Sequence, residues 1–420
     1  MENVKKNAAS YGIVLSACLL VVLGDVRSLI SPAGYWALWG LIVVVGLISA
    51  PERLSFKVSP ELAVYILGFF VLFSAFVLSA LANAEIQTFY QGLKMMCIGV
   101  VFVCVYAHSQ FLEQGDYHSI ASRSILTGFL VFCMAKYYLT GLYIELGDGR
   151  QGSLFAYPGV LWKTCAFFAG FVIVGMLFDG RSKVTSLLVM IAGAYILVMD
   201  SSRTGFIVFL LVILLILLLS MHVKPKLTLL LFFISIISFT AVLMLYSTGY
   251  DFLNFNQNPL VVDRLAAGDP VRARMLADGL RSFETCMPFG CGFGSTTSEV
   301  DGSPMVVHNA FISSGGDLGI LGFIGLLILI FSPLLIFAIR LCRYAMHEHK
   351  AKYIFIYAIA ALGGSLGFAL LLMLHPFSTE LSEWGIWILM TSALSVLSRQ
   401  FIMSEHVQVT GGDDENEVAI

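Results

Sequence analysis

Five arginines and one histidine occupy polar positions between long apolar runs, and these residue types suit the binding and activation of anionic or hydroxyl-bearing ligands. The planar arginine side chain donates two hydrogen bonds to phosphate oxygens and stays charged at physiological pH. A histidine takes up a proton near neutral pH, so it can activate a hydroxyl as a general base. The sequence therefore predicts an anion-binding site with a base, formed by Arg203, Arg264, Arg272, Arg274, Arg281 and His308.

Each of these residues also has a structural interpretation. Arg203 begins an apolar run, where its side chain could extend to lipid headgroups while pairing with Asp200. The loop arginines could make ordinary headgroup contacts, and a lone histidine at an interface is more often structural than catalytic. What favours a functional site is that all of these residues are expected on one face of a membrane.

Most of the candidates lie in one long polar segment, residues 247–322. A connection of about 60 residues between apolar runs is unusual, and such loops are commonly functional or disordered. Its mixture of aromatic, apolar and glycine residues with arginines favours a folded loop. Residues 269–286 have Leu, Met and Phe at helical spacing, which predicts a short amphipathic helix near the membrane surface.

A run of alternating glycines, Pro288-x-Gly290-x-Gly292-x-Gly294, follows this helix. Glycines at this density allow tight turns and close approach of the backbone to a ligand, so Gly290 and Gly292 are candidate substrate-binding residues. The spacing differs from G-x-G-x-x-G and follows no predicted strand, which excludes a dinucleotide-binding loop. Asn309, next to His308, is a further candidate for substrate binding.

The composition shows what holds this loop in place. The chain has 420 residues, 58% of them hydrophobic and 12% charged, with a mean hydropathy of +0.89. Soluble domains carry about 25% charged residues, and apolar runs of about 20 residues can cross a bilayer. We expect an all-α polytopic membrane protein of about twelve transmembrane helices. The predicted spans are residues 11–30, 33–50, 60–82, 88–107, 119–140, 158–178, 184–201, 203–221, 227–246, 308–339, 352–374 and 382–398.

The distribution of Lys and Arg predicts the orientation. With the N-terminus in the cytoplasm, every even-numbered span ends at a basic cytoplasmic segment, as the positive-inside rule requires. The chain then divides into nine spans over residues 1–246, a periplasmic loop with short helices over 247–307, three spans over 308–402, and a disordered cytoplasmic tail over 403–420. Both termini are expected inside the cell.

Cysteines and metal ligands add little to this scheme. Most of the eight cysteines lie in apolar runs, where Cys behaves as a small hydrophobic residue. Cys286 and Cys291 are five residues apart in the large loop, so a disulfide between them is open. The sequence has no CxxC pair and no His/Cys or Asp/His cluster with metal-ligand spacing, so we expect no metal or other cofactor.

These motifs together resemble those of the bacterial O-antigen ligase superfamily, which also includes polysaccharide polymerases and protein O-oligosaccharyltransferases. The likeness is carried by order and spacing within residues 203–322, and the predicted twelve spans extend it to the whole chain. The matching stretches are Ser202-Arg203-Thr204-Gly205, Arg272 to Leu276, Pro288 to Gly292, and His308-Asn309 followed nine residues later by Gly319-Ile320-Leu321-Gly322.

The resemblance implies a metal-independent glycosyltransferase of the bacterial inner membrane with a periplasmic active site. It would transfer a glycan from undecaprenyl diphosphate to a lipid A–core hydroxyl, using no nucleotide. By position, Arg203 and Arg272 would bind the diphosphate and offset charge on the leaving group, and His308 would take the proton of the acceptor hydroxyl. The implied partners are the carrier-linked donor, the acceptor and membrane lipids, without nucleic acid.

Two other functions remain open. An O-antigen or exopolysaccharide polymerase would use the same residues with a second carrier-linked glycan as acceptor. An anion transporter would use the arginines differently, but transport sites usually lie near the bilayer midplane. Lys94, Lys136 and Lys163 are the candidate buried cations for such a site, and none has an acidic residue close by in sequence.

Overall fold

The architecture comes from a computed structural model that describes residues 2–49, 59–146, 149–178, 183–221, 225–226, 229, 270–300, 302–343 and 349–411. Within these ranges, nine helices are long and apolar enough to cross a membrane. The chain is therefore a polytopic, predominantly helical membrane protein, as its composition predicts.

Most helices before the large loop lie within a few residues of the predicted spans. The first predicted span, 11–30, is not one helix, because the first α-helix ends at Val22 and the next begins at Arg27. Two one-turn 3-10 helices, Gly24–Val26 and Thr140–Leu142, lie between the α-helices. The α-helices are α1 (Glu2–Val22), α2 (Arg27–Ser49), α3 (Pro60–Asn83), α4 (Ile86–Ser109), α5 (Gln114–Tyr137), α6 (Lys163–Ala166), α7 (Ala169–Leu177), α8 (Lys183–Asp200) and α9 (Arg203–Ser220).

The remaining described helices are α10 (Pro270–Thr285), α11 (Ala310–Arg343), α12 (His349–Leu374) and α13 (Leu381–Gly411). Two antiparallel hairpins add short strands: β1 (Tyr143–Glu145) pairs with β2 (Gln151–Ser153), and β3 (Thr297–Val300) pairs with β4 (Ser303–Val306). The predicted amphipathic helix over 269–286 is thus present as α10, and the loop also contains a hairpin that the sequence analysis did not predict.

The sixth predicted span, residues 158–178, is not one continuous helix. The structure has two short helices there, α6 and α7, of four and nine residues. Nine residues extend about 13 Å, less than half of a bilayer core of about 30 Å. Nearly all apolar side chains from Leu161 to Val174 are buried within the protein. This run is apolar because it is packed inside, and hydrophobicity alone does not separate that case from exposure to lipid.

Other predicted boundaries differ at particular residues. The ninth predicted span, residues 227–246, lies outside the described residues apart from position 229. The tenth is α11, which is interrupted at Gly319, where φ is 73°. The last helix, α13, continues to Gly411, nine residues into the predicted disordered tail, because its first glycine pair comes at Gly411-Gly412.

The chain forms two compact units that interleave along the sequence. The first comprises Met1–Leu112, Gly268–Arg343 and Ser365–Val396; the second comprises Glu113–Ala267, Tyr344–Gly364 and Leu397–Ile420. In the first unit α11 packs along α3, α3 packs along α4, and α10 lies on α11. In its core, Tyr65 and Phe69 pack edge-on against Trp387, and the Phe102 ring lies tilted against it.

Candidate functional site

His308 lies between the β3–β4 hairpin and α11, and the hairpin sets its position. The ladder extends past β4 because the Val307 N–H donates to the Thr296 carbonyl at 3.0 Å. The Nδ1 atom of His308 is 2.9 Å from the Val306 carbonyl oxygen. A carbonyl oxygen only accepts, so Nδ1 carries the hydrogen of this bond, and in the neutral ring Nε2 is the basic nitrogen. The His308 side chain is half-buried.

Asn309 is the N-cap of α11. Its Oδ1 accepts the backbone N–H groups of Phe311 and Ile312, each at 3.1 Å. A side-chain oxygen in this position satisfies donors that the first helical turn leaves without an intrahelical partner. This capping fixes where α11 begins and so fixes the backbone next to His308. Contact between Asn309 and a substrate stays a prediction.

The glycine run forms backbone hydrogen bonds with both halves of α11 at the interruption of this helix. The Ile320 N–H donates to the Pro288 carbonyl at 3.1 Å, and the Cys291 N–H donates to the Gly316 carbonyl at 3.0 Å. Breaking a helix leaves carbonyls without partners at the end of its first half and N–H groups without partners at the start of its second. The run from Pro288 to Gly292 supplies partners on both sides of the break.

Two glycines make this close approach feasible. Gly290 and Gly319 both have positive φ, at 80° and 73°. A Cβ on Gly290 would collide with the Asp317 carbonyl, and one on Gly319 with the Pro288 carbonyl. Each position therefore requires glycine for its backbone conformation and for the space around it.

Asp317, on the first half of α11, anchors the end of the same run. Its carboxylate accepts the N–H groups of Gly294 and Thr296 at 2.8 Å each and the Ser295 hydroxyl at 3.3 Å. Its main-chain carbonyl accepts the Gly292 N–H at 3.0 Å. The side chain is buried, with 1% of its surface exposed. A buried carboxylate needs such donors to offset its lost hydration.

Helices α3 and α4 hold the run from its other side. Asn83 donates its amide to the Gly290 carbonyl at 3.0 Å, and the Phe293 N–H donates to Thr88 Oγ1 at 2.8 Å. The Thr88 hydroxyl donates in turn to Glu85 at 2.6 Å. Every N–H group from residue 290 to 294 therefore donates to a protein oxygen. This gives Gly290 and Gly292 a structural role, while their contact with a substrate stays a prediction.

A disulfide joins Cys286, just after α10, to Cys291 in the glycine run. The sequence alone did not decide whether this disulfide forms. Cys291 also donates its N–H to the first half of α11. The disulfide therefore links the end of α10 to the place where the glycine run contacts α11.

Helix α10 carries three of the candidate arginines on two faces. Met275 and Gly279 are buried, and Gly279 packs against the side chains of Val307 and Ile312. Arg272 is half-buried and precedes Met275 by three residues, which places it on the side of α10 that faces the hairpin and α11. Arg274 is exposed and lies 3.9 Å from Asp278.

Arg281 is also exposed, on the same side of the helix as Arg274. Seven of the nine predicted site residues therefore lie in the first unit, and two of them, Arg274 and Arg281, are on the exposed side of α10. The seven are Arg272, Arg274, Arg281, Gly290, Gly292, His308 and Asn309.

The other two candidates are placed differently. Arg264 lies outside the described residues. Arg203 is half-buried in the second unit, at the first position of α9. Its motif has local explanations: Ser202 caps α9 by accepting the Gly205 N–H at 3.3 Å, and a Cβ on Gly205 would collide with the Trp162 ring.

Asp200 is the residue that the structural interpretation pairs with Arg203. Its carboxylate accepts hydrogen bonds from the backbone before α6. One carboxylate oxygen accepts the Gly159 N–H and the other the Trp162 N–H, each at 2.6 Å. Asp200 is fully buried. It therefore fixes the turn before α6 within the second unit.

The side chains that hold the glycine run in place, above all Asp317, Thr88 and Asn83, were not predicted from the sequence. An acidic residue inside an apolar run, as Asp317 is, would have been a usable signal because ionisable groups at membrane depth are costly. Among the described residues, no three His, Cys, Asp or Glu side chains are grouped to hold a metal ion.

Comparison with known proteins gave no match, either to a family model or to a curated protein.

Proposed function

We propose that this protein transfers a glycan from undecaprenyl diphosphate to a lipid A–core hydroxyl, at the periplasmic face of the bacterial inner membrane. His308 acts as the general base. The observation that carries the proposal is the hydrogen bond from His308 Nδ1 to the Val306 carbonyl at 2.9 Å. This bond makes Nε2 the basic atom of a half-buried ring. The neighbouring residue, Val307, is hydrogen-bonded to Thr296, which is in turn bonded to the buried Asp317.

The reaction needs one proton transfer and one displacement. Nε2 of His308 takes the proton of the acceptor hydroxyl, and the hydroxyl oxygen forms a bond to the anomeric carbon of the donor. The bond from that carbon to the diphosphate oxygen breaks, and the diphosphate leaves with the electron pair. A histidine base suits this step because its usual pKa is close to ambient pH.

Arginines offset the charge that develops on the leaving diphosphate. Arg272 is the candidate within the first unit because it lies on the side of α10 that faces the hairpin and α11. Arg203 is the second candidate, and Arg274, Arg281 and Arg264 are proposed to contact the donor. Electrostatic stabilisation by such donors in a site that excludes water contributes several kcal/mol.

The disulfide supports a periplasmic position for the large loop. Disulfides form and persist in oxidising compartments such as the bacterial periplasm, and cytoplasmic thiols are kept reduced. Cys286 and Cys291 lie in the loop that the Lys and Arg distribution places outside. Two independent arguments therefore favour the same side of the membrane for His308.

The proposal is tested in a strain that lacks the gene and is complemented with variants. We expect His308→Ala to abolish transfer, with polymer retained on the lipid carrier, while the protein remains folded and inserted. Met305→Ala is the matched control, since Met305 is an exposed neighbour on β4. Normal lipopolysaccharide in the His308→Ala strain would contradict the role of the base.

The banding pattern also identifies the acceptor. Loss of all O-antigen from lipid A–core supports ligation. A lipid A–core carrying a single repeat would instead indicate the polymerase reaction, in which His308 activates a hydroxyl of a second carrier-linked glycan.

A further inference from the structure

The turn between α12 and α13, residues 375–380, lies on the first turn of α11. The Phe377 N–H donates to Ser313 Oγ at 3.0 Å, and Ser313 is one turn beyond the cap Asn309. The Phe377 ring lies 6.0 Å from Phe76 of α3 and 6.0 Å from Phe293 of the glycine run. The turn therefore packs against the first turn of α11, the helix that begins two residues after His308.

The last residue of this turn is held by two cations. Lys94 Nζ on α4 lies 2.5 Å from one carboxylate oxygen of Glu380, and an Arg27 nitrogen lies 3.3 Å from the other. Asp25 lies 3.6 Å from Arg27 and balances its charge. Lys94 is 14% exposed, so its interaction with Glu380 is only weakly screened by solvent.

Lys94 lies well inside α4. It follows Glu85, the residue before the helix, by nine positions, which corresponds to about 13 Å along the axis. An ionisable residue at such a position in a membrane-spanning helix is costly and indicates function, with its partner as part of the site. A buried ion pair is weak evidence for stability, but it fixes the positions of the groups it joins.

The same helix also holds the glycine run. Thr88 of α4 accepts the Phe293 N–H, Gln91 accepts the Thr379 hydroxyl at 2.5 Å, and Lys94 binds Glu380. These three residues recur every third position, so they form one polar stripe along α4. The stripe therefore holds both the glycine run and turn 375–380, and both of these segments contact the first half of α11.

We infer that Lys94 and Glu380 are positioning residues for the His308 site: their ion pair, with Arg27, holds turn 375–380 against the first turn of α11. The effect on catalysis rests on the proposed function, whereas the placement of the turn does not. Neither residue is assigned contact with the reacting atoms.

Hydrogen–deuterium exchange of the full-length protein in detergent, read by mass spectrometry, measures the placement directly. Lys94→Met and Glu380→Gln should each raise the exchange rate of peptides covering residues 375–380 by about tenfold or more, because the Phe377 N–H loses its protected position. The double variant should exchange no faster than Glu380→Gln alone, since Glu380→Gln already removes the partner of Lys94. Unchanged exchange in both single variants, or additive effects in the double variant, would overturn the inference.

The control is Glu61→Gln, which breaks the comparable ion pair of Glu61 with Arg340 in the same unit. Glu61 lies at the opposite end of α3 from Asn83, about 33 Å away along the helix axis, so exchange of the turn should stay as in the wild type.

Transfer is measured in parallel on the same variants. A fall of about tenfold or more in Lys94→Met and Glu380→Gln supports a positioning role, and unchanged transfer with a loosened turn overturns it. Absence of transfer in the wild-type protein would instead reject the proposed function, and the exchange rates would still decide whether the ion pair places the turn.

Discussion

Asp317 accepts the backbone N–H of Thr296 at 2.8 Å from within the first half of a broken helix. Thr296 in turn accepts the N–H of Val307, the residue before His308. A fully buried carboxylate is thus two hydrogen bonds away from the backbone of the proposed base. The orientation of His308 depends on a residue that need not touch a substrate.

Asp317→Asn should therefore destabilise the protein and weaken transfer. An amide provides one acceptor oxygen, so its NH₂ group must face the N–H of Gly294 or of Thr296. Leaving a buried donor without an acceptor costs about 1–3 kcal/mol. The change is measured as a lower apparent Tm in detergent. Glu299→Gln is the control, since Glu299 is an exposed carboxylate of the same unit; an equal loss there would contradict the special role of Asp317.

Gly319→Ala should be more damaging than Gly302→Ala. Both glycines have positive φ, so both substitutions cost about 1 kcal/mol or more in backbone strain. Only Gly319 also faces a neighbouring carbonyl, that of Pro288, whereas a Cβ on Gly302 enters open space. Expression level and apparent Tm compare the two variants. Similar values for the two variants would show that the break in α11 accommodates a methyl group, which contradicts the prediction.

Replacing Cys286 and Cys291 together with Ser should loosen the attachment of α10 to the glycine run. Closing so short a loop stabilises a protein by about 2 kcal/mol in the chain-entropy model. We expect a lower apparent Tm, and the same decrease when the wild-type protein is treated with a reductant. Cys97→Ser, which changes an exposed free cysteine, serves as the control. A wild-type Tm that does not respond to reductant would contradict a stabilising disulfide.

Arginine-to-lysine changes should separate the candidate anion-binding residues. Lysine keeps the charge but cannot donate two parallel hydrogen bonds. Arg203→Lys and Arg272→Lys should reduce transfer about 10- to 100-fold if each loses a charge-assisted bond of about 1.5–3 kcal/mol. Arg274→Lys and Arg281→Lys should be tolerated better, because both side chains are exposed. Full activity in Arg203→Lys would limit its role to general electrostatics.

Cysteine labelling tests the orientation. In a Cys97→Ser background, Glu299→Cys on β3 should react with an impermeant maleimide added to spheroplasts, since position 299 is exposed in the large loop. The native Cys342, also exposed, should react only after the membrane is permeabilised. Labelling of Cys342 in intact spheroplasts would reverse the predicted orientation and place His308 on the cytoplasmic side.

The sequence predicts helices where an apolar run is bounded by polar residues. Residues 60–82 and 203–221 correspond to Pro60–Asn83 and Arg203–Ser220 within one residue at each end. The amphipathic pattern over 269–286 likewise corresponds to α10. Local spacing is sufficient in these cases because each helix has its own end signals, such as Ser59 and Ser202 at the N-caps.

Contacts between residues far apart in sequence could not be predicted in this way. Lys94 has no acidic neighbour in sequence, and this counted against transport; its partner, Glu380, is 286 positions away. The glycine run has the composition of a ligand-binding loop, but its N–H groups are used to join the two halves of α11. One sequence shows which buried charged or polar residues require a partner. It does not show which residue, far away in the sequence, is that partner.

The long separations around the glycine run also impose an order on biosynthesis. Asn83 and Gly290 are 207 residues apart, and Thr88 and Phe293 are 205 apart. A ribosome adds about 5–20 residues per second, so α3 and α4 exist for roughly 10–40 seconds before the run that they hold has been made. His308 follows later still. The polar groups of α3 and α4 must therefore pass through membrane insertion before their partners exist, and the site is completed only after the second half of α11 has been synthesised.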